Sequence, residues 1–364
     1  MTEKLNVLAA GHEPVTGVVR PFRALIVRQE LAAENVSQMM DALPASQRRS
    51  RPIDTDAYRE SGAALYIYRL RRGHEQHVGV VGDVSAEAFT DGWVRGHEAV
   101  QPDRVEALVD HFSSAAVRSE LVALLHRTEP AVGAAIAEGL RNEPLLQFTG
   151  PDDWEQTVWR VPEPESKVLS DELSRVVHYI ADGHHRVAAS LSVWKTEGRP
   201  SDAGLMCVMF PFDGLRLLAF HRRVTGPIQP DTLLTLVSEA FDLSSVALPD
   251  EATGCFGLYV DGRWYDASYK GVRSPGAAGL DIAILNDQVL EPLLGLGATA
   301  RVEIASALSP LVELTRACDE DGGALFALRP PALEQLTEIA DRGEVMPPKT
   351  TYFDPKPYAG IFLR

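Results

Sequence analysis

The period of the apolar positions changes several times along the chain. Val176, Val177, Tyr179 and Ile180 make an apolar, β-branched run, and Val187, Leu191 and Trp194 follow at helical spacing. This predicts a strand, a tight turn and a helix around Asp182-Gly183-His184-His185-Arg186. Lys195, Gly198 and Pro200 give that helix an orderly end. Ala64 to Leu70 and Gln76 to Gly82 flank a Gly-containing turn and predict a hairpin. Two more hairpins are expected, one joining 205–210 to 215–220 around Asp213-Gly214 and one joining 257–260 to 264–265 across Asp261-Gly262. An entry strand is expected over 20–28 and a polar, Arg-rich loop over 42–60. Helical periodicity covers Val105, Leu108, Val109 and Phe112, then 121–140 and 228–245. Residues 161–172 are acidic and Pro-bearing and read as a surface connection. Alternating hairpins and helices predict an α+β fold with a mixed sheet, divided into a motif-bearing core (1–224), a smaller α+β lobe (225–330) and a segment returning to the core (331–364).

The chemistry is expected at the turn. Asp182 is read as an N-cap accepting from the first helical amides, and Gly183 as the residue that lets the backbone turn sharply. A helix start favours an anion such as a phosphate, and Arg186 adds a forked cation. His184 and His185 are adjacent, about 100° apart around a helix axis, so they cannot chelate one metal as an i, i+4 pair would. One ring is expected to face a ligand and the other to brace the loop.

At 364 residues the chain can bury a real core, and 35 basic against 51 acidic residues, net −16, argue against unspecific binding to nucleic acid or an anionic membrane. No apolar run approaches a membrane span and the first residues lack a secretory pattern, which predicts a cytoplasmic protein. Cys207, Cys255 and Cys318 form no C-x-x-C pair, and Cys207 is expected as a buried core thiol. Glycines 79 and 82 open no dinucleotide-binding helix. Glu98, in Arg95-Gly-His97-Glu98, suits a general base for a hydroxyl, and equally a structural glutamate paired with an arginine. Pro347-Pro348 stops any helix before Lys349, and Thr350, Thr351 and Tyr352 then run extended; Lys349 followed by hydroxyl residues suits either phosphate contact or a closing strand, whereas Lys356 reads as structural. Arg48, Arg49 and Arg51 read as a solvated basic cluster.

The Asp-Gly-His-His-Arg stretch resembles the signature of domain-of-unknown-function family 1015, as do Arg20-Pro21-Phe22-Arg23-Ala24, Arg95-Gly-His97-Glu98, the run Leu285 to Gly295, and the tail from Val345 through Pro347-Pro348-Lys349-Thr350-Thr351-Tyr352 to Gly360. More distantly, the stretch is similar to the phosphate-binding motif of the ParB and sulfiredoxin-like superfamily, which includes kinases of free serine. The family's usual Pro-Tyr-Asp-Val loop has no counterpart in Asp41 to Ser50. The resemblance implies a ParB/sulfiredoxin-like strand-turn-helix phosphate site in a small-molecule kinase that uses ATP or ADP with Mg²⁺ and a small hydroxyl-bearing substrate such as serine. It implies Glu98 as base, Asp182 as cap or Mg²⁺ contact, His185 as a catalytic residue, and Gly183, His184, His185, Arg186, Lys349 and Thr350 around the phosphates. The alternative is a non-catalytic nucleotide-binding or regulatory member.

Overall fold

A computed structural model describes residues 17–41, 53–114, 117–119, 121–249, 255–295 and 301–364. It is α+β, as expected, and the chain divides into two compact units. The first comprises residues 1–96, 100–216 and 355–364; the second comprises 97–99 and 217–354.

Among the described residues, the first unit is built on a nine-stranded mixed sheet. Its order runs Val94–Arg95, His178–Asp182, Val122–His126, Gly204–Pro211, Glu75–Ser85, Tyr66–Arg72, Glu155–Arg160, Leu146–Thr149, with Val19–Arg20 also on Glu75–Ser85. The strand His178–Asp182, called the motif strand below, pairs parallel with Val94–Arg95 and antiparallel with Val122–His126. Central strands are buried on both faces, and the core gathers Leu65, Ile67, Val80, Leu124, Ile180 and Cys207. The thiol of Cys207 is free and buried, as expected for a core cysteine. Phe22–Val27 pairs with Tyr58–Ala64 and Phe362–Leu363 in a smaller sheet. The helix Pro102–Ser114 lays Val105, Leu108, Val109 and Phe112 against Ala189 and Val193 of the helix His184–Thr196, called the motif helix below.

The second unit holds a six-stranded sheet of order Phe241–Val246, Arg263–Tyr269, Phe256–Val260, Ala324–Leu328, His221–Val224, Val302–Ala305, all antiparallel. Asp261 and Gly262 both have positive φ, 51° and 72°, the backbone of a tight hairpin turn.

Several local expectations are corrected. Residues Val122–His126 form a strand, and only Pro130–Gly139 is helical, because the apolar run fits a strand buried on both faces and Pro130 starts the helix. The acidic stretch is a helix, Glu163–Leu173, whose acidic residues sit in its first turn and whose Leu169 and Leu173 are buried. The hairpin around Asp213-Gly214 does not form. Its turn is present, with Gly214 N–H donating to the Pro211 carbonyl at 2.7 Å. Both edges of Gly204–Pro211 are already taken, by Glu75–Ser85 and Val122–His126, so Arg216–Ala219 pairs instead with Thr351–Asp354. The helix expected over 228–245 spans Pro230–Ala240 and gives way to the strand Phe241–Val246. Among the described residues no helix is long and apolar enough to cross a membrane. The basic cluster Arg48, Arg49, Arg51 and most of the Asp41 to Ser50 region lie outside the described residues.

Candidate functional site

The register of the motif strand pairs His178 with His126 and Ile180 with Leu124, then shifts before Asp182 meets Ala123. Such an irregularity at a strand end bends the chain and re-aims the side chain beyond it. Gly183 follows at φ +111°, where an L side chain is strained, and a Cβ there would lie 3.2 Å from Arg186 Nε. The helical ladder starts with Val187 N–H donating to the Gly183 carbonyl at 2.9 Å.

Gly183, not Asp182, is therefore the N-cap, and it makes no side-chain cap. Asp182 is one residue too early to reach the first amides. Its carboxylate is instead bound by two cations, Arg186 at Oδ2 and Lys356 at Oδ1. Burial alone would push this carboxyl up, but Arg186 and Lys356 overcome that and hold it at about 2. Arg186 donates a further hydrogen bond to the Leu121 carbonyl, so the fork is fixed between strand and helix. Lys356, read from sequence as structural, is thus part of the motif.

The histidines divide their roles. His184 is buried, with Gly96 so close that a Cβ there would lie 3.2 Å from its ring. Burial holds its imidazole down at about 4 despite the attraction of Asp182, so it is neutral at pH 7. His185 is half-buried, and its Nε2 accepts the Gln101 N–H at 3.0 Å, which fixes the proton on the other ring nitrogen.

A cavity of about 400 Å³ opens beside the motif helix within the first unit. Arg118, Arg186 and Arg364 line it together with Ser113, Ser190 and Glu197. Arg364 is anchored by Asp83, which also binds Arg20 at 2.6 Å. The Asp83 carboxyl is raised by burial, which outweighs Arg364 and Arg20. Gly204 sits against Asp83 so closely that a Cβ would collide with the carboxylate. Arg118 packs its guanidinium 4.9 Å from the centre of the Phe112 ring. Three arginines and one glutamate line this pocket, Arg186 being paired with Asp182 and Arg364 with Asp83, so it concentrates forked donors inside a chain whose formal charge is −16. Arg118, Arg364 and Asp83 had no local sequence signal, since each is separated by many residues from the motif.

The remaining candidates lie in the second unit. Glu98 is half-buried and forms a parallel bridge with Met346, while the preceding His97 carbonyl accepts the Met346 N–H at 2.7 Å. The His97 ring lies 3.0 Å from the Thr351 hydroxyl. Lys349 has φ +56°, uncommon for a side chain of its kind, and its ammonium lies 5.2 Å from the centre of the Phe220 ring. The turn is held by Arg222, which donates to the Pro348 and Lys349 carbonyls at 3.1 Å each and whose guanidinium burial lowers to about 10. Thr350 donates to the Pro347 carbonyl at 2.6 Å. Asp182, Gly183, His184, His185 and Arg186 thus belong to one unit, and Glu98, Lys349 and Thr350 to the other.

A divalent cation at Asp182 does not fit the donor set, because both carboxylate oxygens are held by cations. Among the described residues no group of three or more His, Cys, Asp or Glu side chains could hold a metal ion.

Residues 25–283 match the family described as "Protein of unknown function (DUF1015)". No curated protein matches the chain. Solved structures similar to it include a mutant free serine kinase in complex with ADP, 14% identical over 76% of this chain and 87% of that one, TM-score 0.40. Others are SbnI with a C-terminal truncation from Staphylococcus aureus, 12% identical over 76% and 84%, TM-score 0.42, and a conserved hypothetical protein from Pyrococcus furiosus, 13% identical over 77% and 93%, TM-score 0.38.

Proposed function

We propose, for a chain that belongs to the DUF1015 family of proteins of unknown function, that the arginine-lined pocket beside the motif helix binds the phosphates of ATP or ADP. We further propose that the protein transfers a phosphoryl group from that nucleotide to the hydroxyl of a small molecule, serine or a related amino acid being the expected class. The observation that carries the reading is the convergence of Arg118, Arg186 and Arg364 on one cavity of about 400 Å³. That size suits a small-molecule site, and forked cations match phosphate oxygens.

Phosphoryl transfer requires mainly positioning and charge neutralisation. In this reading the acceptor oxygen bonds to the terminal phosphorus, the bond to the bridging oxygen breaks to release the shortened nucleotide, and the hydroxyl proton goes to a general base, the role the family resemblance implies for Glu98. Arg186 neutralises the phosphates, and Asp182 with Lys356 is a positioning pair that keeps its guanidinium in place. His185 completes the phosphate contacts within the first unit, and no step is assigned to Mg²⁺. The absence of a Pro-Tyr-Asp-Val loop from Asp41 to Ser50 favours a second reading, in which nucleotide binds without turnover.

Titration calorimetry with ATP and with ADP tests the binding. Arg186→Ala is expected to lower affinity by about one to two decades, since a charge-assisted hydrogen bond is worth roughly 1.5–3 kcal/mol. Equal affinity in wild type and variant would remove the pocket as the phosphate site.

A further inference from the structure

The second unit contains a smaller cavity, about 140 Å³, that the nucleotide reading does not use. Arg273, Arg329, Gln335, Thr350 and Asp281 supply its polar lining, and Leu280, Leu328 and Pro330 are among its apolar walls. It is below the roughly 300–1,000 Å³ of sites for drug-sized ligands, so its occupant is a molecule of a few heavy atoms.

Both guanidiniums are held in place before any ligand arrives. Arg273 donates to the Gly279 carbonyl at 2.8 Å and to Asp281 at 2.5 Å, and reaches Cys255 Sγ at 3.1 Å. Arg329 is tied to Asp266 at 3.1 Å, with side chains only 12% and 15% exposed. The neutral groups are oriented too. Gln335 uses its carbonyl oxygen to accept the Ala332 N–H at 2.9 Å, which assigns the amide and turns the NH₂ end into a donor for a ligand. Thr350 spends its proton on the Pro347 carbonyl at 2.6 Å, so toward the cavity its oxygen accepts. The lining therefore offers guanidinium and amide donors for an anionic group, and hydroxyl and carboxylate acceptors for a group that carries protons.

We propose that this cavity binds a small carboxylate bearing a hydroxyl or ammonium group beside it. Guanidinium forks match carboxylate geometry, and an acceptor pair opposite in chemistry selects against plain carboxylates, which have no proton to give. The inference stands apart from the nucleotide reading, because it uses other residues and another cavity.

Calorimetry on the full chain with acetate, glycolate, glycine and inorganic phosphate tests it. Glycolate or glycine is expected to bind at least about 10-fold more tightly than acetate or phosphate, and which of the two wins identifies the proton-bearing group. Arg273→Met should lower that affinity about 10-fold or more, and Thr350→Val should erase the advantage over acetate. If Arg273→Met does not fold, Arg273→Lys replaces it, with a smaller loss expected because the fork is gone. Nucleotide affinity should be unchanged in the Arg273 variants, which separates failure of this pocket from failure of the other. No binding by either ligand up to about 50 mM, a range covering affinities far weaker than 1 mM, would overturn the proposal. So would equal affinity for acetate, tighter binding of phosphate, or retention of affinity in the Arg273 variant.

Discussion

Asp182 is the residue on which the motif turns, and its partners explain why it differs from a capping aspartate. A cap forms with amides two or three residues ahead, which a local reading of the sequence can see. Lys356 lies 174 residues away, and no local pattern announces the pairing. The electrostatic consequence is measurable. A carboxyl held at about 2, against roughly 3.9 when unfolded, adds stability that is present above the unfolded value and is lost as pH falls through about 2. Lys356→Met removes one of the two cations. Its Asp182 should titrate at higher pH than in wild type, and acid unfolding followed by circular dichroism should begin at higher pH. Identical acid transitions would mean that Lys356 contributes nothing to the carboxylate.

At the scale of the element, the strand-turn-helix was legible because its signals are short-range: a β-branched run, a glycine, then apolar positions at helical spacing. The hairpin turns at Gly73 and at Asp261-Gly262 were legible for the same reason. What failed was any inference needing knowledge of neighbours. The run from Leu121 to Leu125 reads equally as helix or strand until it is known to lie in the middle of a sheet. The strand Arg216–Ala219 lost its expected partner to strands far away in sequence.

Two predictions belong here. Gly183→Ala should destabilise the unit by about 1–2 kcal/mol, from the φ > 0 backbone, and should weaken nucleotide binding because the new methyl presses on Arg186. A chemical-denaturation midpoint equal to that of wild type would show that the turn relaxes freely. The motif strand also carries a buried imidazole, His178, whose ring faces that of His126 at 5.7 Å. Burial, with His126 beside it, holds His178 down at about 3, and burial lowers His126 as well. With His184 at about 4, His178 and His184 are kept neutral in the folded chain yet bind protons near 6.5 when unfolded, and the burial of His126 acts in the same direction. Stability should therefore be complete above about pH 6.5 and fall as pH drops toward 4, by up to about 1.4 kcal/mol per pH unit for each of His178 and His184. Denaturation midpoints between pH 7 and 4.5 check this, and His178→Gln should flatten the slope.

At the scale of the whole molecule, the proposed phosphoryl transfer is tested at Glu98. Glu98→Gln is expected to lower transfer of labelled phosphate to hydroxy amino acids by about 10²–10⁴-fold while leaving nucleotide affinity nearly unchanged. Wild-type transfer in that variant would make Glu98 structural, and nucleotide binding without transfer to any acceptor would favour the regulatory reading.

The first unit is discontinuous: residues 355–364 rejoin it only after the chain has passed through residues 217–354. Those returning residues include Lys356, which holds Asp182, and Arg364, which lines the arginine pocket. On a ribosome, then, the motif strand and helix emerge long before the pocket they serve can close. At roughly 5–20 residues per second, the intervening stretch takes on the order of ten seconds to make. Throughout that interval the nascent chain carries Asp182 without its lysine and Asp83 without one of its arginines. A chain arrested inside the second unit therefore has the signature motif but lacks two of the cations around it.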